Sequence, residues 1–287
     1  MGLDPEQVRA LVARAYRWDA RILLRMLRWF GRPLFDFWVH EEEGTVVGTA
    51  LVTYQSRAGY ISTVCVDPRF RRRGLARGLL ERSHRGIRRA GREHAVLDVL
   101  DDNVPAQTLY RSMGYRPLRS NSVWTVGLEP SRSAPPSPPP AGLREMAKTD
   151  LEAIVELANA AQGPTITGVL PMTPDQLQVP PLLAASVRST TQAWTLVLDG
   201  RPAGFLRATV GGMTRAGHLT RPILGRDVPP ARAAGMVTTA LEWIAMRGGS
   251  RVVVEVPEEE RPAREAVRAA GFLPSFRLDT LHLPLSR

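Results

Sequence analysis

The spacing of apolar residues changes several times along the first half of the chain. Apolar positions recur every three or four residues over 3–16 and 18–30, which predicts two amphipathic helices. Apolar runs at 35–41, 46–54 and 60–67 predict three strands of a meander, with a turn at 42–44. Helical spacing returns from residue 74 to Gly91, and runs at 96–100, 115–118 and 123–128 predict further strands.

The junction between the third strand and the next helix is rich in arginine. The strand ends at Asp67-Pro68, and three arginines, 71–73, lead into Gly74. A helix N-terminus presents unpaired N–H groups and the positive end of the helix dipole, so it attracts anions. Glycine leaves room for a phosphate beside those amides, and arginine adds charge and paired donors. We therefore predict that this junction binds a pyrophosphate.

The same residues resemble the coenzyme A signature of the GNAT superfamily of N-acetyltransferases, in which Arg-x-x-Gly-x-Ala follows a strand. Arg71, Gly74 and Ala76 stand at those positions. The run from Tyr110 to Tyr115 is similar to the segment that closes the family's domain. The resemblance implies an α/β (α+β) fold with a mixed, mostly antiparallel central sheet, a splayed parallel strand pair and helices on both faces. The family fold usually begins with a strand, whereas this chain leads almost directly into a predicted helix.

A segment rich in proline and serine, residues 131–141, divides the chain into two predicted domains, 1–130 and 142–287. Such a segment forms neither a helix nor an inner strand and acts as a stiff spacer. The pattern after it predicts a strand at 143–146, a cap at 149–150 and a helix to residue 161, which is how a second domain of this family would begin.

The second domain repeats the first at an offset of 157 positions. Gly271-Phe272 aligns with Gly114-Tyr115, and the strand at 253–256 aligns with 96–99. We interpret this as an internal duplication. The signature residues are not repeated, because Val228 replaces Arg71 and Ala231 replaces Gly74. Glu260 and Val267 likewise replace Asn103 and Tyr110. Pro229 and Pro230 remove amide donors as well, so we predict a degenerate copy that binds coenzyme A poorly or not at all.

The resemblance implies an acetyl-CoA-dependent acyltransferase (EC 2.3.1.-) that acetylates a primary amine of a small molecule or peptide by direct attack. It implies Tyr110 as the general acid for the departing thiolate, and pairing of the third strand's backbone with the pantetheine arm. The cofactor-binding residues it implies are Val64, Cys65, Val66, Arg71, Arg72, Arg73, Gly74, Leu75, Ala76, Arg77, Asn103 and Tyr110. Tyr110 could instead be a packing residue, and Asn103 could be a plain helix N-cap.

The general base is not fixed by the sequence. An amine acceptor must lose a proton, and four side chains could take it: His40, Glu41, Asp98 and Asp101. Cys65, the single cysteine, has no histidine at a telling spacing, so we expect a small buried residue there and no covalent intermediate. We expect His84 and His94 to be surface or packing residues. No cluster with metal-ligand spacing is present, so no metal is expected.

Composition narrows the possible partners. Net charge is +10, and the arginines at 82–92 lie along one helix without interleaved aromatic residues, so the pattern favours a solvated face over nucleic-acid binding. No apolar run is long enough to span a membrane, and residues 1–20 lack a signal-peptide core, so we expect a cytoplasmic protein. We expect it to be a monomer or a homodimer. Two alternatives remain: an acyl-CoA-binding sensor or scaffold without catalysis, and an arginine-rich protein associated with nucleic acid.

Overall fold

A computed structural model describes residues 35–43, 45–128, 137–177, 189–211 and 215–285 of the chain. Contacts between Cα atoms divide these residues into two compact units. The first unit takes the chain up to Asp98, together with Pro105–Arg116 and the residues from Leu281 onward. The second takes Val99–Val104 and Pro117–Thr280. The predicted helices at 3–16 and 18–30 lie outside the described residues.

The first unit is built on a meander. Its elements are β1 (Phe35–Glu42), β2 (Thr45–Tyr54), β3 (Ala58–Val66), helix α1 (Leu75–Arg89), β4 (His94–Leu100) and helix α2 (Val104–Ser112). β1, β2 and β3 pair antiparallel in sequence, and β4 then pairs parallel with β3. A parallel pair needs a crossover, and α1 provides it. This confirms the mixed, mostly antiparallel sheet that the resemblance implied.

Helix α1 packs on the sheet through the apolar stripe that its sequence predicted. Leu79, Leu80 and Ile87 are fully covered, and the arginines at 82, 85, 88 and 89 face solvent. The helix approaches β3 so closely that a Cβ at Gly59 would lie 2.3 Å from Ile87 Cγ1. A glycine at position 59 is therefore a condition of this packing.

The second unit contains the same order of three strands, helix, strand and helix, together with further strands and helices. Its elements are β5 (Arg116–Gly127), β6 (Leu143–Glu145), α3 (Leu151–Val169), α4 (Pro174–Leu177), β7 (Thr190–Leu198), β8 (Arg201–Val210), β9 (Ala216–Leu219), β10 (Ile223–Leu224), α5 (Pro230–Met246), β11 (Arg251–Pro257), α6 (Arg261–Ala269) and β12 (Leu273–Pro284). β9 pairs parallel with β11 over four residues, as β3 does with β4. The apolar side of α5 and the inner face of these strands form one large core.

The closing strands do not stay with the copy from which they come. β5 follows α2 in the sequence, yet it pairs antiparallel with β11 in the second unit, from Asn121↔Pro257 to Gly127↔Arg251. The end of β12 lies in the first unit, where Leu285 N donates to Glu93 O at 2.7 Å. The sequence predicted two short strands at 115–118 and 123–128, and the structure has one continuous strand there.

The end of the proline-rich segment is packed against helix α5. Residues 137–140 form neither helix nor strand, as predicted. Pro140 lies so close to α5 that a Cβ at Gly235 would be 3.2 Å from its Cγ, and the N–H of Ser137 donates to the Glu242 carboxylate. The predicted strand and helix then follow as β6 and α3, and α3 is kinked at Gly163-Pro164.

Candidate active site

The loop between β3 and α1 leaves the start of the helix open. Gly74 is the N-cap residue with φ of +79°, and a Cβ at this position would meet nothing within 4 Å. The first hydrogen bond into the helix runs from Gly78 N to Gly74 O at 3.0 Å, so the amides of Leu75, Ala76 and Arg77 come before it. The space beside these amides suits an anion such as a phosphate.

The arginines of this loop differ in what they contact. Arg71 folds back so that its Nε donates to Val66 O at 3.1 Å, and Arg73 pairs with Glu42 at 3.3 Å while its guanidinium lies 5.0 Å from the Phe70 ring centroid. Arg72 makes no hydrogen bond or ion pair with the described residues, and its φ is +65°. Of the three, Arg72 is the one whose guanidinium makes neither a hydrogen bond nor an ion pair with the described residues.

Strands β3 and β4 separate beyond a short paired stretch. Their parallel pairing covers Ala58↔His94 to Ile61↔Leu97, although β3 continues to Val66. At the point of separation Thr63 has φ of +54°, and the register of β3 against β2 shifts between Thr49 and Leu51. The edge of residues 62–66 that faces away from β2 is therefore not paired with β4. An extended ligand could add to this edge as a further strand.

Tyr110 is placed on α2 with its ring in the core of the first unit and 6% of its surface exposed. Burial, and secondarily the charge of Cys65, raise the pKa of Tyr110 to about 12. The phenol therefore keeps its proton at neutral pH. Cys65 itself is exposed, so the prediction of a buried residue was wrong: β3 at this point lies at the separation of the strands. Desolvation at the sulfur still raises the pKa of the Cys65 thiol.

The four candidate bases are not brought together. His40 on β1 is in register with Gly48 on β2, and Gly48 is in register with Val66 on β3. The His40 Nε2 atom lies 3.7 Å from the Glu42 carboxylate. Asp98 accepts a hydrogen bond from the Tyr60 hydroxyl. Glu41 is exposed on β1, whereas Asp101 belongs to the second unit. None is marked out as the base by this arrangement.

Asn103, one of the predicted cofactor contacts, is assigned to the second unit. Its N–H donates to Leu100 O at 3.0 Å in the turn before α2. Both interpretations of its side chain, a cofactor contact and an N-cap, stay predictions.

The corresponding loop of the second unit is closed. Helix α5 begins at Pro230, its N-cap residue is Pro229, and neither residue has an N–H. The amides of Arg232 and Ala233 both donate to Pro229 O, at 2.9 and 3.1 Å. Ala231 is left as the one residue of this turn whose amide has no acceptor among the described residues.

An ion pair stands where the strands of the second unit separate. β9 ends at Leu219, and two residues later Arg221 donates from Nη1 to Glu260 Oε1 at the start of α6. Both side chains are covered, with 11% and 8% of their surface exposed. Glu260 is the counterpart of Asn103 at the offset of 157. Arg221 comes two residues after the last residue of β9 that pairs with β11, as Thr63 comes two residues after the last residue of β3 that pairs with β4. The sequence pointed to Glu260 but gave no sign of its partner.

Comparison with known proteins finds a family match in the first part of the chain. The acetyltransferase (GNAT) family model matches residues 6–115. The matched stretch is less than half of the chain. A mycothiol acetyltransferase of Saccharomonospora viridis is 30% identical over 144 residues, which are 44% of this chain and 47% of that protein. The matched region is therefore about half of that relative.

Solved GNAT structures share the fold over most of the chain. A tandem GNAT protein from the clavulanic acid biosynthesis pathway has a TM-score of 0.63 at 17% identity, covering 90% of this chain and 85% of that one. A GCN5-related N-acetyltransferase from Sphaerobacter thermophilus has a TM-score of 0.64 at 19% identity, with 93% and 86% covered. Because the sequence identities are below 20%, the similarity shows a shared fold only. That fold fits an arrangement of two GNAT-like domains in tandem.

Two negative findings concern only the described part of the chain. There, no three His, Cys, Asp or Glu side chains are grouped so that they could hold a metal ion. No helix in these ranges is long and apolar enough to cross a membrane.

Proposed function

We propose that the chain transfers an acetyl group from acetyl-CoA to a primary amine of a small molecule or peptide. The observation that carries this proposal is the open start of α1, which follows the strand edge that β4 leaves unpaired. One strand would thus connect the diphosphate site with the site of the extended arm, and we assign the proton donor as Tyr110. The matches to acetyltransferases support the same reaction class.

The residues of the first unit suit coenzyme A in two respects. The missing side chain at Gly74 leaves space at the amides of Leu75 to Arg77, and the α1 dipole and Arg72 add positive potential there. The unpaired edge of Val64 to Val66 matches the extended shape of the pantetheine arm. Acetyl-CoA would supply an acetyl group activated as a thioester.

The chain's own contribution to the chemistry is positional and electrostatic. Binding at two places orients the thioester against the acceptor amine, which replaces a bimolecular encounter by a fixed geometry. Tyr110 Oη holds a proton at neutral pH and can donate a hydrogen bond to sulfur as negative charge develops there. The acceptor amine must give up its own proton to another group.

The second unit is proposed to be a degenerate copy that binds coenzyme A poorly or not at all. Its helix start leaves one amide, that of Ala231, without an acceptor among the described residues, where α1 leaves three. The ion pair of Arg221 and Glu260 lies at the separation of its strands. The domain limits 1–130 and 142–287, the cytoplasmic location and the monomeric or homodimeric state stay predictions.

The test is thiol release from acetyl-CoA by the full chain with a panel of primary amines. Tyr110→Phe should lower kcat by about 100-fold, as expected for loss of a general acid, and leave KM for acetyl-CoA within about twofold. Tyr54→Phe is the matched control, because the Tyr54 hydroxyl is hydrogen-bonded to Asp36. Unchanged turnover by Tyr110→Phe would remove the acid assignment, and acetyl-CoA binding without transfer to any amine would support the sensor alternative.

A further inference from the structure

A buried histidine lies behind the proposed general acid. His84 is on the inner side of α1 with 6% of its surface exposed. Its Nε2 lies 2.8 Å from the hydroxyl of Tyr115, and the two rings are 5.7 Å apart between centroids. Burial, and to a lesser degree Arg88, lower the pKa of His84 to about 4, so the ring is neutral at pH 7.

Tyr115 connects this histidine to Tyr110. The Tyr110 and Tyr115 rings are tilted by 57° with centroids 5.8 Å apart, and Tyr115 is 3% exposed. The backbone joins the same two residues, because Tyr115 N donates to Tyr110 O at 3.1 Å. A movement of the Tyr115 ring would therefore shift the neighbouring Tyr110 ring.

The second copy shows that the fold does not need this polar pair. At the offset of 157 positions, Leu241 stands for His84, Phe272 for Tyr115 and Val267 for Tyr110. All three are buried in the core of the second unit. The same helix packing is thus built from apolar side chains alone. The polar pair occurs in the copy that has the tyrosine and is absent from the copy that lacks it.

We propose that His84 and Tyr115 are a positioning pair for Tyr110. The hydrogen bond from one ring to the other fixes the Tyr115 ring, and the fixed ring sets the direction of the Tyr110 hydroxyl. This inference rests on the proposed function, since it assigns the pair a role in holding the acid. Neither residue is a catalytic residue in this account, because each acts through Tyr110.

The second copy also supplies the variants for the test. His84→Leu/Tyr115→Phe gives the first unit the side chains that already pack in the second. Replacing both partners of a buried hydrogen bond by apolar groups is close to neutral for stability. We expect kcat to fall about tenfold, KM for acetyl-CoA to stay within about twofold, and the unfolding midpoint in urea to change little. If this variant does not fold, Tyr115→Phe alone replaces it.

A double-mutant cycle separates positioning from general damage. In a Tyr110→Phe background, His84→Leu/Tyr115→Phe should cause no further loss of kcat, because the hydroxyl that the pair orients is gone. Tyr54→Phe, which removes another hydrogen-bonded tyrosine hydroxyl, should give the same ratio in both backgrounds. An equal tenfold loss in both backgrounds, or no loss in the wild-type background, would overturn the proposal.

A second measurement does not need turnover. The chain has five tyrosines, so ring-labelled tyrosine gives an NMR spectrum that single Phe variants can assign. His84→Leu/Tyr115→Phe should shift and broaden the Tyr110 ring signals, and Tyr54→Phe should leave them in place. If the wild-type chain acetylates no amine, the proposed function fails, while the Tyr110 signals still show whether the pair orients that ring. Unmoved Tyr110 signals would overturn the positioning role.

Discussion

The same structural junction occurs twice in this chain and has two different surroundings. In the first unit the strand leads through Gly74 into a helix whose first amides are open. In the second unit the strand leads through two prolines into a helix whose first turn is closed on itself. The strand pair, the helix and their packing are retained in both. The start of the helix can therefore change without loss of the fold beneath it.

The separation of the parallel strands shows the same contrast. In the first unit the edge of β3 beyond Ile61 is not paired with β4. In the second, Arg221 and Glu260 lie at this place with both side chains covered. An ion pair that is this well covered needs both of its partners, since a single buried charge is costly. The difference between the two copies can be tested at each of these residues.

Removing one partner of the ion pair should have the largest effect. Arg221→Met leaves the Glu260 carboxylate buried without its counterion and should lower the free energy of unfolding by about 3 kcal/mol. Arg221→Met/Glu260→Met removes both charges and should cost less than about 1 kcal/mol. Urea unfolding of the full chain measures both. Equal destabilisation by the single and the double variant would show that the charges themselves are not what the site depends on.

The pH dependence of the second unit should come next in size. Arg144, through two hydrogen bonds of 2.7 Å, is the main cause that lowers the pKa of Asp150 to about 2. Asp150 is 4% exposed, and Ala147 N and Thr195 also donate to it. Because the folded-state pKa lies below the unfolded one, its stabilisation is complete above about pH 4 and is lost as the pH falls through 2.

Asp150→Asn should therefore remove about 2 kcal/mol at pH 7 and flatten the fall in stability between about pH 4 and pH 2. Unfolding curves collected across this range check both expectations. Acetyl-CoA binding at pH 7 should be unchanged, because the site is assigned to the other copy. Loss of binding in parallel with stability would contradict that assignment.

The smallest effect is expected at Gly74, where a matched control distinguishes blocked amides from backbone strain. Gly74→Ala puts a Cβ at φ of +79° and beside the amides, and should weaken acetyl-CoA binding about tenfold. Gly91→Ala is the matched control, since Gly91 has φ of +71° and also has open space around it. Both should lose about 1 kcal/mol of stability. Calorimetry should find one acetyl-CoA per chain, with the affinity reduced only by Gly74→Ala; two sites per chain would contradict the degenerate second copy.

Local features of the fold could be predicted from the sequence. The strand, arginine loop and helix at 58–89 follow from β-branched residues, Asp67-Pro68 and helical spacing that act over short distances. The burial of His84 was within reach too, because it lies four residues after Leu80 and three before Ile87 on one stripe of α1. The hydrogen bond between His84 and Tyr115 could not be predicted, because it joins two parts of the chain that the sequence does not place together.

Features that depend on the choice of a distant partner could not be predicted. β5 carries four buried residues in a row, 121–124, and such a run fits the inside of either copy's sheet. Arg221 lies in a short connection with no periodicity, so nothing in the sequence selects Glu260 as its partner. The hydrogen bond from Arg71 Nε to the carbonyl of Val66 likewise depends on the path of the loop, which the sequence does not show.

Because the closing strands are exchanged between the copies, cleavage of the chain between them should affect both units. A protease that cut within the proline-rich segment would leave a front piece without Leu281–Leu285 beside β4, and a rear piece without β5 beside β11. Each piece would expose a bare sheet edge, a state prone to self-association. The two pieces should therefore co-purify after cleavage, and each should be soluble only when the other is bound to it. The two copies thus depend on one continuous chain for their closing strands.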